Sequence, residues 1–189
     1  MHSAGPALAR ALADVEDDTF TWAAANDLVR LNAKEATPIL IKVLETGAAH
    51  KQSAAAYILG WLRERNSSTL LRSVAMDPAR TVDVRAHAIE ALGVIAANDA
   101  LPELLELLSR GEPELRYWAA YSLGMIGDPT SIAALEHVAS TDRAILPDNK
   151  SIREEALEAI ESIRRANDPK HDGGEVGYEN SPFDRERPK

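Results

Sequence analysis

One helical pattern recurs five times in this chain of 189 residues and constrains its fold more than any other feature. Each copy is anchored by a leucine or isoleucine, with an alanine four residues before it and a branched aliphatic residue three residues after it. Spacings of three and four place these side chains on one face of a helix. The pattern therefore predicts five helices, here called the A helices, each with a narrow buried face. The anchors, 31, 33, 31 and 37 residues apart, are Leu28, Leu59, Leu92, Leu123 and Ile160.

In the first four units the pattern continues into a second helix, here called the B helix. A small residue follows each anchor by eight positions and a leucine follows it by twelve, at Leu40, Leu71, Leu104 and Leu135. Cap residues are predicted at the B-helix starts: Asn32, Ser67, Asn98 or Asp99, and Asp128 before Pro129. A helix pair with one buried face is stable only when stacked on others. An all-α fold of about four stacked pairs plus a C-terminal capping helix follows.

This template resembles the HEAT repeat family, and within it the short HEAT-like repeats of phycobilin lyase subunits and many bacterial proteins. The resemblance is carried by residues 84–108 and 115–138, including Arg85, Arg116 and the Leu-Gly pairs at 92–93 and 123–124. Thr21 and Val29 depart from it in the first unit, where the family has arginine and glycine. The resemblance implies a right-handed α-α superhelix, an α-solenoid. It does not select a function, because this fold serves many tasks.

The predicted repeat domain spans residues 1–166. It comprises an N-terminal capping helix at about 5–16, repeats at about 19–140 and a final helix at about 151–165. The segment 141–150 lengthens the last interval and is predicted to be a loop that packs differently from its counterparts or reaches a ligand. Residues 167–189 are polar, with three glycines and three prolines, and are predicted to form a flexible or loosely docked tail.

Composition excludes several classes of function. The chain has no cysteine, which rules out disulfides and thiolate metal sites and agrees with a cytoplasmic location. A formal charge of -9 disfavours nucleic acid, whose binding depends on Lys and Arg, and favours a basic protein partner. No apolar run is long enough to cross a membrane, and the N-terminus lacks the pattern of a signal peptide.

No motif for catalysis or cofactor binding is found. The chain lacks a GxSxG sequence and a glycine-rich phosphate loop, so no catalytic residue and no cofactor is predicted. The densest group of metal-type ligands is Glu103, Glu106, Glu136 and His137. One histidine among mobile glutamates is more typical of a solvated acidic face than of a metal site, so no metal is predicted.

The first candidate binding surface is the outer face of the A helices, defined as the positions five and two before and two after each anchor. Units 2 and 4 carry large residues there: Tyr57, Trp61, Trp118, Tyr121 and Met125. Clustered exposed aromatic side chains are typical of binding sites, which predicts a protein partner or a homodimer contact. Alternatively, solenoid curvature, the loop 141–150, or Tyr178 or Phe183 of the tail covers these residues.

The second candidate surface lies on the B helices, which line the concave face if the family resemblance holds. Its open positions become acidic along the chain, with Arg72 followed by Glu103, Glu106, Glu136 and His137. The predicted function is a non-catalytic protein-binding scaffold that uses one of these faces. The alternatives are an inhibitor or immunity protein that neutralises a basic toxin or enzyme, and a phycobilin lyase-like chromophore-attachment subunit. No oligomeric state is predicted.

Overall fold

A computed structural model describes residues 4–168, which form ten α-helices and no extended strand. The N-terminal helix is α1, Ala4–Asp14. The A helices are α2 (Asp18–Arg30), α4 (Ala49–Trp61), α6 (Val82–Val94), α8 (Pro113–Ile126) and α10 (Ile152–Ala166). The B helices are α3 (Thr37–Thr46), α5 (Ser68–Met76), α7 (Leu101–Arg110) and α9 (Ile132–Thr141). The four predicted pairs and the terminal helix are thus present.

Successive A helices pack side by side, from α2 through α4, α6 and α8 to α10, and each B helix packs against the A helix that follows it. The chain is therefore an α-solenoid with one layer of A helices and one of B helices. Every anchor and every alanine four residues before it is buried. The four B-helix leucines are also completely buried, which places the repeated template in the continuous core.

The aliphatic residue three positions after the anchor was predicted to be buried, and this prediction is wrong in the first unit, where Leu31 is 54% exposed. Its counterparts Leu62 and Ile95 are at most 2% exposed. Successive helical residues are rotated by 100°, so a side chain three positions after the anchor points toward the preceding unit. The first unit has only the short helix α1 on that side, so the position lacks the neighbour that buries it elsewhere.

Gly60 and Gly93, each directly after an anchor leucine, lie in close contact with the next A helix. A Cβ atom added to Gly60 would lie 2.8 Å from Cα of Ala91, and one added to Gly93 would lie 2.8 Å from Cα of Ser122. Both distances are too short for any side chain. Gly60 and Gly93 therefore allow neighbouring A helices to approach closely.

A left-handed residue ends the A helix in each of the first four units. Asn32, Arg63, Ala96 and Gly127 all have positive φ, from 47° to 78°, and occupy the same place in the template. Asn32 is therefore a helix-terminating residue and not the predicted cap of α3. The predicted cap at Asp128 is confirmed, because its carboxylate accepts a hydrogen bond of 2.8 Å from the backbone N–H of Thr130.

The arginines at the starts of the A helices hold the preceding B helices. Arg85 donates from Nε to the carbonyl oxygen of Ala75 at 2.9 Å, and Arg116 donates from Nη1 to that of Gly111 at 2.8 Å. Both carbonyls lie at B-helix C-terminal ends, which carry unsatisfied acceptors and partial negative charge. The arginine of the repeat is thus a structural residue in these two units.

Candidate functional site

The outer face of the A helices is not an exposed aromatic surface. Tyr57 is 4% exposed and Trp118 and Tyr121 are each 2% exposed, so the expectation that these three point into solvent is wrong. Trp61 and Met125 are half-buried. The predicted aromatic set is therefore largely a packed layer.

Ring contacts account for part of this burial. In unit 2, Tyr57 meets Trp22 of the preceding A helix edge to face, with ring centroids 5.8 Å apart, and lies 6.0 Å from the ring of Trp61. In unit 4, Trp118 forms edge-to-face pairs with Tyr117 at 5.4 Å and with Tyr121 at 5.6 Å. Such pairs are favourable contacts of aromatic packing.

The lengthened loop contributes a cation to the same layer. The ammonium group of Lys150 lies 5.6 Å from the ring centroid of Trp118 and 5.7 Å from that of Tyr117. It also pairs with the Asp148 carboxylate at 2.5 Å. Burial raises the pKa of Tyr117, and the nearby Glu155 carboxylate raises it further. This tyrosine is therefore a neutral packing residue.

Ion pairs neutralise much of the B-helix surface. Arg72 on α5 lies 3.2 Å from the Asp99 carboxylate and 2.5 Å from that of Glu103 on the next B helix. The guanidinium pKa of Arg72 is raised chiefly by its hydrogen bond to Glu103. Farther along, Glu136 pairs with Arg164 of α10 at 2.7 Å. Three of the predicted partner-binding residues thus already have partners within the chain, and the surface is less acidic than the sequence suggests.

Glu106 and His137 differ from the other predicted B-helix residues. Both are exposed, and within residues 4–168 neither side chain forms an ion pair. Glu106 lies on α7 and His137 on α9, the helix beside it. They are the members of the predicted set that remain available to a partner.

A cleft of about 530 Å³ lies between α7 and α9, and His137 is one of its lining residues. Its apolar lining comes from Leu105 and Leu108 of α7 and from Ala134 and Val138 of α9. Hydroxyl groups and charged side chains complete the wall: Ser109, Arg116, His137, Thr141, Asp142 and Arg143. The cleft therefore offers both apolar contacts and polar groups to a bound partner.

The charged end of the cleft is held rigid by Arg116. Its guanidinium lies 2.7 Å from the Asp142 carboxylate, and Arg143 donates to the backbone carbonyls of Ser140 and Asp142. Burial alone would raise the pKa of Asp142, but hydrogen bonds from Arg116 and from the backbone N–H of Ala144 outweigh it and lower that pKa. Asp142 is therefore ionised at neutral pH.

The repeat pattern of the sequence does not predict most of the cleft residues. Arg116 belongs to the repeat pattern and His137 to the predicted surface, but Leu105, Ala134 and Arg143 carry no signal in the sequence. Position 105 directly follows a template leucine and position 134 directly precedes one. A pattern-based argument assigns such positions only to a helix flank, because it does not give the distance between adjacent B helices.

The described part of the chain contains no group of three or more histidine, aspartate or glutamate side chains arranged to hold a metal ion. Glu103, Glu106, Glu136 and His137 accordingly do not form such a group. No helix among residues 4–168 is long and apolar enough to span a bilayer.

Comparison with known families finds matches in two segments of the chain. The family model described as HEAT repeats matches residues 79–161, and the model described as PBS lyase HEAT-like repeat matches residues 22–46. Residues 22–46 and 79–161 thus contain HEAT-type repeats, as the resemblance of the template predicted. Its first unit, which departs most from the template, is matched by the PBS lyase HEAT-like type.

Among solved structures, the chain is similar to the complex of CpcE and CpcF of phycocyanin lyase from Nostoc sp. PCC7120. The alignment covers 85% of this chain and 82% of that one, with 22% sequence identity and a TM-score of 0.43. Comparison with curated proteins finds no significant match.

Proposed function

We propose that this protein is a non-catalytic scaffold that binds a protein partner across its B helices, with the cleft between α7 and α9 as the docking point. The observation that carries the proposal is the cleft itself, about 530 Å³ and lined by both apolar and charged side chains. Its volume lies within the roughly 300 to 1,000 Å³ of typical ligand pockets, which is room for a few side chains. HEAT repeats present such surfaces by stacking similar units.

The exposed charge of Glu106 on α7 indicates the chemistry of the partner. Glu106 is exposed and unpaired within residues 4–168, whereas Glu103 and Glu136 are paired with Arg72 and Arg164. A partner segment with an apolar side chain for the cleft and a basic group for Glu106 complements this surface. The net charge of -9 favours a basic partner through long-range attraction, which acts mainly on the rate of association.

The test is affinity capture with the full chain and two matched variants. Ala134→Arg places a long side chain in the cleft, and Ala23→Arg makes the same change at an exposed position of α2. We expect the parent and Ala23→Arg to retain the same partner and Ala134→Arg to lose it. Retention of the partner by all three proteins would exclude the cleft as the docking point.

Salt dependence tests the charge complementarity separately. Glu106→Lys reverses one exposed charge without breaking any ion pair among residues 4–168, so its melting temperature should stay unchanged. We expect weaker binding and a smaller effect of added salt, because one attractive contact becomes repulsive. Unchanged affinity at low and high salt would show that Glu106 lies outside the interface.

The identity of the captured partner distinguishes two more specific roles, as an inhibitor and as a chromophore-attachment subunit. Inhibition of a basic toxin or enzyme is favoured by the net charge, and predicts one basic partner whose activity falls on binding. A role as a chromophore-attachment subunit is favoured by the PBS lyase HEAT-like repeat at 22–46, and predicts a bilin-carrying protein as the partner. Absence of any partner at either salt concentration would refute the scaffold proposal.

A further inference from the structure

The acceptor groups at the charged end of the cleft between α7 and α9 are already occupied by donors of the same chain. Asp142 accepts from Nε of Arg116 at 2.7 Å and from its Nη2 at 3.4 Å, which uses both carboxylate oxygens. The carbonyl oxygen of Gly111, directly after α7, accepts from Arg116 at 2.8 Å. That of Ser140, in the last turn of α9, accepts from Arg143 at 2.8 Å. These cations offset the partial negative charge of helix C-terminal ends.

Donor groups, by contrast, remain available on the lining of the cleft. A guanidinium group has five N–H donors, and Arg143 directs its two terminal nitrogens to the carbonyl oxygens of Ser140 and Asp142. Within residues 4–168, neither Nε of Arg143 nor the hydroxyl group of Ser109 forms a hydrogen bond. Both residues line the cleft and both are exposed. The cleft therefore calls for a ligand group that accepts hydrogen bonds.

The lining also carries an excess of positive charge. With histidine counted as neutral, its charged side chains are Arg116, Arg143 and Asp142, so two guanidinium groups meet one carboxylate. This local excess stands against a net charge of -9 for the whole chain. A carboxylate on the ligand satisfies both the free donors and the local charge, because guanidinium groups bind carboxylates through charge-assisted hydrogen bonds.

We propose that the segment seated in the cleft is the C-terminal end of the partner chain, with an apolar last residue and with its carboxylate on Arg143. A chain end carries a carboxylate and a side chain on the same carbon atom, so it uses the donors and the apolar lining of Leu105 and Val138 together. The inference rests on the proposed function and specifies its partner. It is compatible with a basic partner, because a chain end is anionic whatever the net charge of the protein.

Three small probes test this chemistry on the full chain without a partner. They are N-acetyl-Gly-Gly-Leu, the C-terminal amide of the same tripeptide, and isocaproate, which keeps the side chain and the carboxylate but lacks the peptide bonds. In NMR titrations of the isotope-labelled protein, we expect the acid tripeptide to shift the Nε–H resonance of Arg143 and the backbone amide resonance of Ala134. The amide should bind about tenfold more weakly or less, which is the usual effect of losing a charge-assisted hydrogen bond.

Each probe can contradict the proposal. No shift from the acid tripeptide at millimolar concentration, or equal binding of acid and amide, would overturn the carboxylate preference. Isocaproate that binds as tightly as the acid tripeptide would overturn the assignment to a chain end, because a free carboxylic acid would then suffice.

A matched pair of variants assigns the effect to Arg143. Arg143→Gln should weaken binding of the acid tripeptide to the level of the amide, while Arg10→Gln removes the same charge at an exposed position of α1 and should match the parent. Equal binding by both variants would overturn the role of Arg143. Because Arg143 also bonds two carbonyl groups, the melting temperature is measured in parallel, and the comparison of acid and amide on the parent chain does not depend on this variant.

The proposed function and this inference fail separately. If Ala134→Arg loses the captured partner while acid and amide bind the parent alike, the docking point stands and the carboxylate preference is overturned. If Ala134→Arg retains the partner while the acid binds in preference, the cleft is a carboxylate site and the partner chain is overturned as its source.

Discussion

Replacing Trp118 with alanine tests whether the outer layer of the A helices contributes to stability. The side chain is 2% exposed, pairs with Tyr117 and Tyr121 edge to face, and lies under the Lys150 ammonium group. Truncating a buried Phe or Trp costs about 3 to 5 kcal/mol, a range that already includes lost ring contacts of ~1 kcal/mol each. We expect a loss of about 4 kcal/mol in the free energy of unfolding.

That loss is large compared with the total stability of a domain, about 5 to 15 kcal/mol. For a chain of this length it corresponds to a fall in Tm of roughly 8 to 16 °C. Urea unfolding should be followed by far-UV circular dichroism, because the variant loses one of the fluorescent side chains. The midpoint and the slope of the urea transition should both be compared between variant and parent, because stacked repeats can unfold in more than one step.

Two controls make the result decisive. Trp118→Phe keeps an aromatic ring and should recover more than half of the loss. Leu157→Ala truncates an apolar side chain that is 46% exposed on α10 and should cost less than about 1 kcal/mol. If Trp118→Ala costs no more than Leu157→Ala, the ring is not buried and the reasoning is refuted.

Three further outcomes follow from the packing and the ion pairs. Gly93→Ala should lower Tm, because the steric overlap of the added methyl group with Ser122 costs about 1 to 3 kcal/mol. This cost outweighs the ~1 kcal/mol gain in helix propensity. A higher Tm would refute the close approach of the two helices. Ala96→Gly should raise the free energy of unfolding by up to ~1 kcal/mol, because its φ is 52°; urea titration measures this, and a loss would contradict it. The pKa of Asp142 is lowered, so its contribution is present above the ordinary aspartate pKa and is lost in acid as pH falls through the lowered value. Arg116→Gln should therefore move the acid-unfolding midpoint to higher pH, and an unchanged midpoint would exclude the pair as its cause.

The core of the fold follows from local spacing. Leu92 and Ala88 lie on one helical face because they are four residues apart, and the same pair in every unit meets the same neighbours. Gly93 is required because the next A helix approaches at that point. Each of these facts depends on residues close in sequence or one repeat away, so a repeated pattern is enough to predict them.

The candidate sites depend on contacts that the pattern does not contain. Trp118 has the spacing of an exposed residue, and it is buried because Lys150 from a distant loop and the rings of Tyr117 and Tyr121 lie against it. Glu103 has the spacing of a free carboxylate, yet Arg72 from the preceding B helix neutralises it. These contacts depend on side-chain directions and on loop conformation.

The sequence by itself determined the α-solenoid and most of its buried template, because hydrophobic periodicity is a local property and the same packing recurs in successive units. Only the tertiary structure decided which surface residues are available. The cleft between α7 and α9 is lined by side chains of two different units, such as Leu105 and Ala134, and residues distant in sequence, such as Trp22 and Lys150, pack against the outer aromatic face. Whether a side chain is accessible to a partner depends on all the residues that surround it. Those neighbours are defined only once the chain is folded.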